Sequence, residues 1–286
     1  MGKYIILTDT GCDLSRAMMA ELGLGIIELE VNIEGAKESS KNVGVKQFYS
    51  LLRNGKRATT SAVGIDRFMT AIEPYVAEGN DVIYIGFSSG LSGTFNAGFV
   101  AASELAERYP DRKIYTVDTL AASMGQGLLV YLAAEMKKSG ATIDEVRDFV
   151  ESNKLNLCHW FTVDDLMFLK RGGRINAATA VMGTMLSIKP VLHVDNDGKL
   201  INVAKARGRK AALDALVSKL GETAVNVSEQ TVFISHGDCI EDATYVKNKV
   251  IEKYSPKEVV IGYIGAVIGA HSGPGTVALF YLGTHR

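Results

Sequence analysis

The chain has 286 residues, 47% of them apolar and 22% charged, which is enough for a large core in one or two domains. Lys and Arg total 31 against 32 Asp and Glu, and no basic block appears. That excludes the electrostatic footprint of a nucleic-acid binder and any bulk steering of a strongly charged substrate.

In chain order, residues 4–7 form a short apolar run, and the following stretch, 14–22, reads as a helix. Asp9-Thr10-Gly11 between them matches the aspartic protease triplet, but no second triplet exists to complete a carboxylate dyad. It is read as a helix-capping turn. Ala58-Thr59-Thr60-Ser61 is a hydroxyl cluster in the polar connection before a helix over 65–76. Residues 82–85 form a second apolar strand, followed by a helix over 94–109 with Phe95, Phe99, Ala102 and Ala106 on one face. A strand at 114–117 leads into a long helix over 120–138. Strand, helix, strand, helix implies a parallel sheet with helices on both faces, a three-layer α/β/α unit.

The second half has another texture. Residues 191–195 and 200–204 flank Asn196-Asp197-Gly198, a hairpin signal. Strands at 231–234, 259–263 and 277–282 complete a mixed, partly antiparallel sheet. The polar stretch 151–154 suggests a boundary near residue 155, giving units 1–155 and 156–286. No formal charge occurs over 259–283, a length that could span a bilayer. His271-Ser272-Gly273-Pro274-Gly275 interrupts it, and loop backbone would be unsatisfied in hydrocarbon. Two buried elements joined by a tight polar loop are expected instead. The first residues carry too short an apolar run for a signal peptide. Cys12, Cys158 and Cys239 are odd in number and far apart, without metal spacing; a reducing cytoplasm is the expected setting.

Most of the chemistry gathers in Gly86-Phe87-Ser88-Ser89-Gly90-Leu91-Ser92-Gly93-Thr94. Its first five residues match G-x-S-x-G, a nucleophile elbow after a strand, and His271 lies downstream as a base for Ser88. A serine hydrolase is therefore the rival reading. Against it, an elbow needs its helix to start at once, and Gly90 to Gly93 delay it. The stretch has no Walker lysine, so a nucleoside triphosphate is not expected. An anion cradle fits better. Glycines let backbone approach a ligand, and the helix near Thr94 aims free N–H groups and a positive dipole end at the loop. Ser92 either caps that helix or donates to a ligand. Two short basic clusters, Lys170-Arg171-Gly172-Gly173-Arg174 and Arg207-Gly208-Arg209-Lys210, suit a helix end and an acidic partner respectively.

Taken together and in order, residues 8–15 (TDTGCDLS), 59–61 (TTS), 86–94 (GFSSGLSGT), 168–175 (FLKRGGRI), 187–192 (SIKPVL) and 204–212 (AKARGRKAA) resemble the DegV family of bacterial fatty-acid-binding proteins over nearly the whole chain. Where that family often has Gln-Pro-Ser after its Thr-Ser, this chain has Ala62-Val63-Gly64. The resemblance implies two α/β domains with a long-chain, palmitate-like fatty acid in a tunnel between them and no other cofactor. By matching, Thr60 and Ser92 hold the carboxylate, with Ser61, Gly93 and His271 beside it and Arg171 near the head group. The resemblance further implies a non-enzymatic carrier in phospholipid metabolism. It would present its lipid to a separate fatty acid kinase that makes the acyl phosphate, and Arg207 and Arg209 would belong to the docking surface. Any membrane contact would be peripheral or transient.

Overall fold

The computed structural model describes residues 3–35, 43–176 and 188–286. The chain opens with β1 (Tyr4–Asp9), a 3-10 turn (Thr10–Cys12), α1 (Arg16–Glu21), β2 (Gly25–Ile27) and β3 (Glu30–Ile33). It continues with α2 (Val45–Arg53), β4 (Ala58–Ser61), α3 (Ile65–Ala77), β5 (Asp81–Gly86) and α4 (Thr94–Arg108), then β6 (Ile114–Asp118), α5 (Met124–Lys138) and α6 (Ile143–Asn153). β1, β2, β5 and β6 form a wholly parallel sheet in the order β2-β1-β5-β6. β5 is a near-continuous apolar run because both its faces are covered, and Val82, Ile83, Tyr84 and Ile85 are fully buried.

The second sheet begins at Leu157. It comprises β7 (Leu157–Thr162), β8 (Ile188–Val194), β9 (Leu200–Arg207), β10 (Thr231–His236), β11 (Glu258–Tyr263) and β12 (Val277–Leu282). Between its strands come α7 (Met167–Arg171), α8 (Arg209–Thr223), α9 (Ile240–Tyr254) and α10 (Ala266–Ser272). The order is β11-β10-β12-β7-β8-β9; β10 and β11 run parallel and the other pairs antiparallel. The fold is thus α/β, with a parallel N-terminal sheet and a mixed C-terminal one. α5 lies between the two sheets. One apolar cluster joins Ile83 and Ile85 of β5, Leu128 and Leu129 of α5, Phe161 of β7 and Phe280 of β12. A helix buried on this many sides is apolar around most of its circumference, as α5 is.

Four local expectations are corrected. Residues 58–61 are a strand, not part of a polar connection: β4 pairs antiparallel with β3, Val31 opposite Thr60. The long helix starts at Met124, not Leu120, because Leu120 and Ser123 have φ of 49° and 55°, which no right-handed helix contains. Phe99 is 54% exposed; the buried face of α4 is Thr94, Gly98, Ala101, Ala102 and Leu105. Small residues are required there, since a Cβ at Gly98 would lie 2.8 Å from Phe68 and from Tyr84. Finally, His271 is in the last turn of α10 and not in the loop. Among the described residues no helix is long and apolar enough to cross a membrane.

Candidate functional site: a cavity with one charged wall

Two braces position the loop after β5. The buried Asp9 carboxylate accepts the Tyr84 hydroxyl (2.7 Å) and the Phe87 N–H (2.9 Å) at one oxygen, and the Gly11 N–H (2.8 Å) at the other. This is the capping turn expected of Asp9-Thr10-Gly11. Ser88, fully buried, donates to the Gly198 carbonyl of the β8–β9 turn at 2.9 Å. The N–H groups of Leu91 and Ser92 then close onto the Ser88 carbonyl, which turns Ser92 and Gly93 toward β4.

Thr60, Ser61, Ser92, Gly93 and His271 all line one cavity. Counting the open space at its mouth, it holds about 850 Å³. The rest of the wall is mainly apolar, including Leu29, Phe87, Leu91, Phe161, Leu169, Leu200, Ile264, Val267 and Ile268. The polar groups are tied to one another. Thr60 Oγ1 lies 2.8 Å from His271 Nε2. Ser92 Oγ accepts the Thr94 N–H at 3.2 Å and lies 2.9 Å from Thr94 Oγ1, which itself accepts the Val63 N–H. When Thr94 gives its hydroxyl proton to Ser92, the Ser92 proton is left for the cavity. Capping and ligand donation by Ser92 are therefore compatible. Burial, reinforced by the nearby Arg174 charge, lowers the His271 pKa to about 4, so the ring is neutral near pH 7. A neutral ring that donates from Nε2 to Thr60 likewise leaves the Thr60 proton free.

Among the described residues the charged side chain on this wall is Arg174. Its Nε donates to the Leu91 carbonyl at 3.2 Å, and Nη1 donates to Gly172 O. Sequence matching pointed to Arg171, but the arginine of Gly172-Gly173-Arg174-Ile175 that meets the cavity is Arg174. Arg171 stacks on the Phe168 ring and lines an adjoining cleft. Ser88 does not line the cavity, and His271 is engaged by Thr60, so the pairing needed by the hydrolase reading is not formed. Arg209 is also committed inside the fold: Nε donates to Asp242 at 2.8 Å and Nη2 to the Gly275 carbonyl at 2.6 Å. Arg207 is exposed at the end of β9. Sequence reasoning missed Ser272 and His159, both on the wall with a buried polar atom that lacks a protein partner. Ser272 was legible only as part of a polar loop, and His159 carried no signal beyond its place in an apolar strand.

The sequence profile described as an uncharacterised protein of the DegV family matches residues 3–284. The chain belongs to the DegV family. A DegV domain-containing protein of Clostridium perfringens is 48% identical over 286 residues, covering 99% of this chain and 98% of that protein. Among solved structures, a DegV family protein from Thermus thermophilus described by its fatty-acid binding is 29% identical with a TM-score of 0.87, covering 98% and 99% of the two chains. DegV from Bacillus subtilis, described as a fatty acid binding protein, is 28% identical with a TM-score of 0.85, covering 99% and 100%. Fatty-acid binding is thus a property found in the DegV family, and the cavity described above is the feature of this member to be interpreted.

Proposed function

We propose that this protein binds a long-chain fatty acid with its carboxylate at Thr60 and Ser92, beside Arg174 and His271, and presents it to a separate kinase for acyl-phosphate formation. The observation that carries the reading is the composition of the cavity wall: apolar residues over most of it, and two hydroxyls and one arginine gathered at a neutral imidazole. An amphiphile with a single anionic end matches that distribution. Charge-assisted hydrogen bonds are worth about 1.5–3 kcal/mol each and fix direction. The acyl chain supplies affinity at roughly 0.8 kcal/mol for each buried methylene, before ordering costs. The DegV relatives described as fatty-acid binders support the ligand class. Presentation to a kinase rests on the sequence resemblance.

Mass spectrometry of organic extracts from the purified protein is expected to return a stoichiometric fatty acid. Titration with a fluorescent fatty acid should show Thr60→Ala and Ser92→Ala each about tenfold weaker or more, from loss of one charge-assisted bond, with the fold intact. Unchanged affinity in both single variants and in the double variant would remove the carboxylate from this pair.

A further inference from the structure

A second cleft, holding about 960 Å³ with its open mouth, shares Thr60, Arg174 and His271 with the cavity. Its own walls add Arg57, just before β4, and Arg171, at the end of α7. Among the described residues no carboxylate lines it. The arginines of this chain are otherwise mostly paired. Among the described residues, Arg16, Arg53, Arg67, Arg108, Arg112, Arg147 and Arg209 each form an ion pair with an acidic side chain. Arg57, Arg171, Arg174, Arg207 and Arg286 do not, and the first three of these meet at one cleft.

Their surroundings suit a ligand more than a solvated surface. The Arg171 guanidinium lies 4.5 Å from the centre of the Phe168 ring, a contact that restricts a long side chain at little desolvation cost. The Arg57 backbone is fixed by Glu34, whose N–H donates to the Arg57 carbonyl at 2.8 Å and whose carboxylate accepts the Arg57 N–H at 3.3 Å. Gly172 packs against the His271 ring at the cleft wall, where a Cβ would lie 2.2 Å from Nδ1. A carboxylate presents two oxygens and one charge, which Thr60, Ser92 and Arg174 can satisfy from the cavity side. Three forked cations without an acid suit an anion with three oxygens and nearly two charges.

We propose that this cleft binds a phosphoryl dianion, held by Arg57 and Arg171 with Arg174 shared between the two sites. Its position next to the lipid head group rests on the carboxylate reading above; the cationic cleft itself does not. The phosphoryl group has two chemical sources, the phosphorylated head of the bound lipid or free phosphate.

The test uses the full chain and three ligands at one ionic strength: palmitate, hexadecyl phosphate and inorganic phosphate. Each is titrated against native protein, Arg57→Gln, Arg171→Gln and the double variant. Both side chains are solvent-accessible at the cleft, and circular dichroism checks the fold. The double variant should lose about tenfold or more in affinity for hexadecyl phosphate and less than twofold for palmitate. Arginine-dependent binding of inorganic phosphate as well would identify free phosphate as a ligand; its absence, with hexadecyl phosphate still affected, would identify a lipid-borne group. Equal losses for palmitate and hexadecyl phosphate would overturn the proposal, as would no loss for either phosphate. If native protein fails to bind palmitate yet binds phosphate through these arginines, the carboxylate reading falls and the cleft stands.

Discussion

His271 lines both the cavity and the cationic cleft. With a folded-state pKa near 4 against an ordinary 6.5, it binds fewer protons in the folded chain than in the unfolded one between those values. Stability therefore rises with pH across that window and falls as pH drops from about 6.5 toward 4. His159 acts in the same direction, since burial holds its pKa well below the ordinary value. The two are separable by substitution. His271→Gln keeps a side-chain N–H for Thr60 but does not titrate. It should lose less stability than the native protein between pH 7 and pH 5, measured by urea unfolding at both values. Equal losses would mean that the His271 ring protonates as readily in the folded chain as in the unfolded one. Protonation of His271 would also place a second cation beside Arg174, so tighter fatty-acid binding is not expected to follow from simple neutrality at higher pH.

At the scale of elements, the site depends on a contact between two turns that are far apart in sequence. Gly198, at φ 72°, brings the β8–β9 turn onto the loop after β5, and Ser88 donates to its carbonyl. A Cβ at Gly198 would lie 2.1 Å from Ser88 Oγ, and the positive φ is itself unfavourable for a side chain. Gly198→Ala should thus destabilise by about 2 kcal/mol or more and weaken fatty-acid binding by displacing Ser92, although Gly198 touches no ligand. Ser88→Ala should cost about 1–2 kcal/mol, the penalty of one buried carbonyl left unpaired. A fluorophosphonate probe should leave native Ser88 unlabelled; stoichiometric labelling would restore the nucleophile reading. The hairpin was legible from Asn196-Asp197-Gly198, and the parallel sheet from the alternation of apolar runs with helical periods. β4 was not, because a four-residue strand of small hydroxyl residues has no hydrophobic alternation and its partner β3 lies outside any local window. The face of α4 was misread for a related reason. Periodicity ranks residues by size, but the close approach of Phe68 and Tyr84 admits only small ones.

On the scale of the whole molecule, the cavity and the surface are linked by β9, an edge strand of the six-stranded sheet. Leu200 at its start lines the cavity, and Arg207 at its end is exposed. Lys205, two residues before Arg207 and on the same side of the register shift in β9, is exposed as well. An edge strand that ends in two exposed cationic side chains is suited to meet an acidic partner surface. Arg209, the other cation of this cluster, is held by Asp242 and Gly275, which leaves Arg207 as the arginine available for encounter. Exposed charges mainly steer association and set register. Arg207→Ala should accordingly leave fatty-acid affinity unchanged and slow acyl-phosphate formation with the kinase proposed above. The defect should shrink as salt rises, because at an ionic strength of 0.1 M the screening length is already about 10 Å and falls further, weakening the same attraction in the native protein. The measurement is the rate of lipid phosphorylation at low and high salt, beside a binding titration. Equal rates for variant and native protein would take Arg207 out of the docking surface. A parallel loss of lipid binding would instead mean that β9 shapes the cavity through its far end, and that the exposed cationic pair serves the fold.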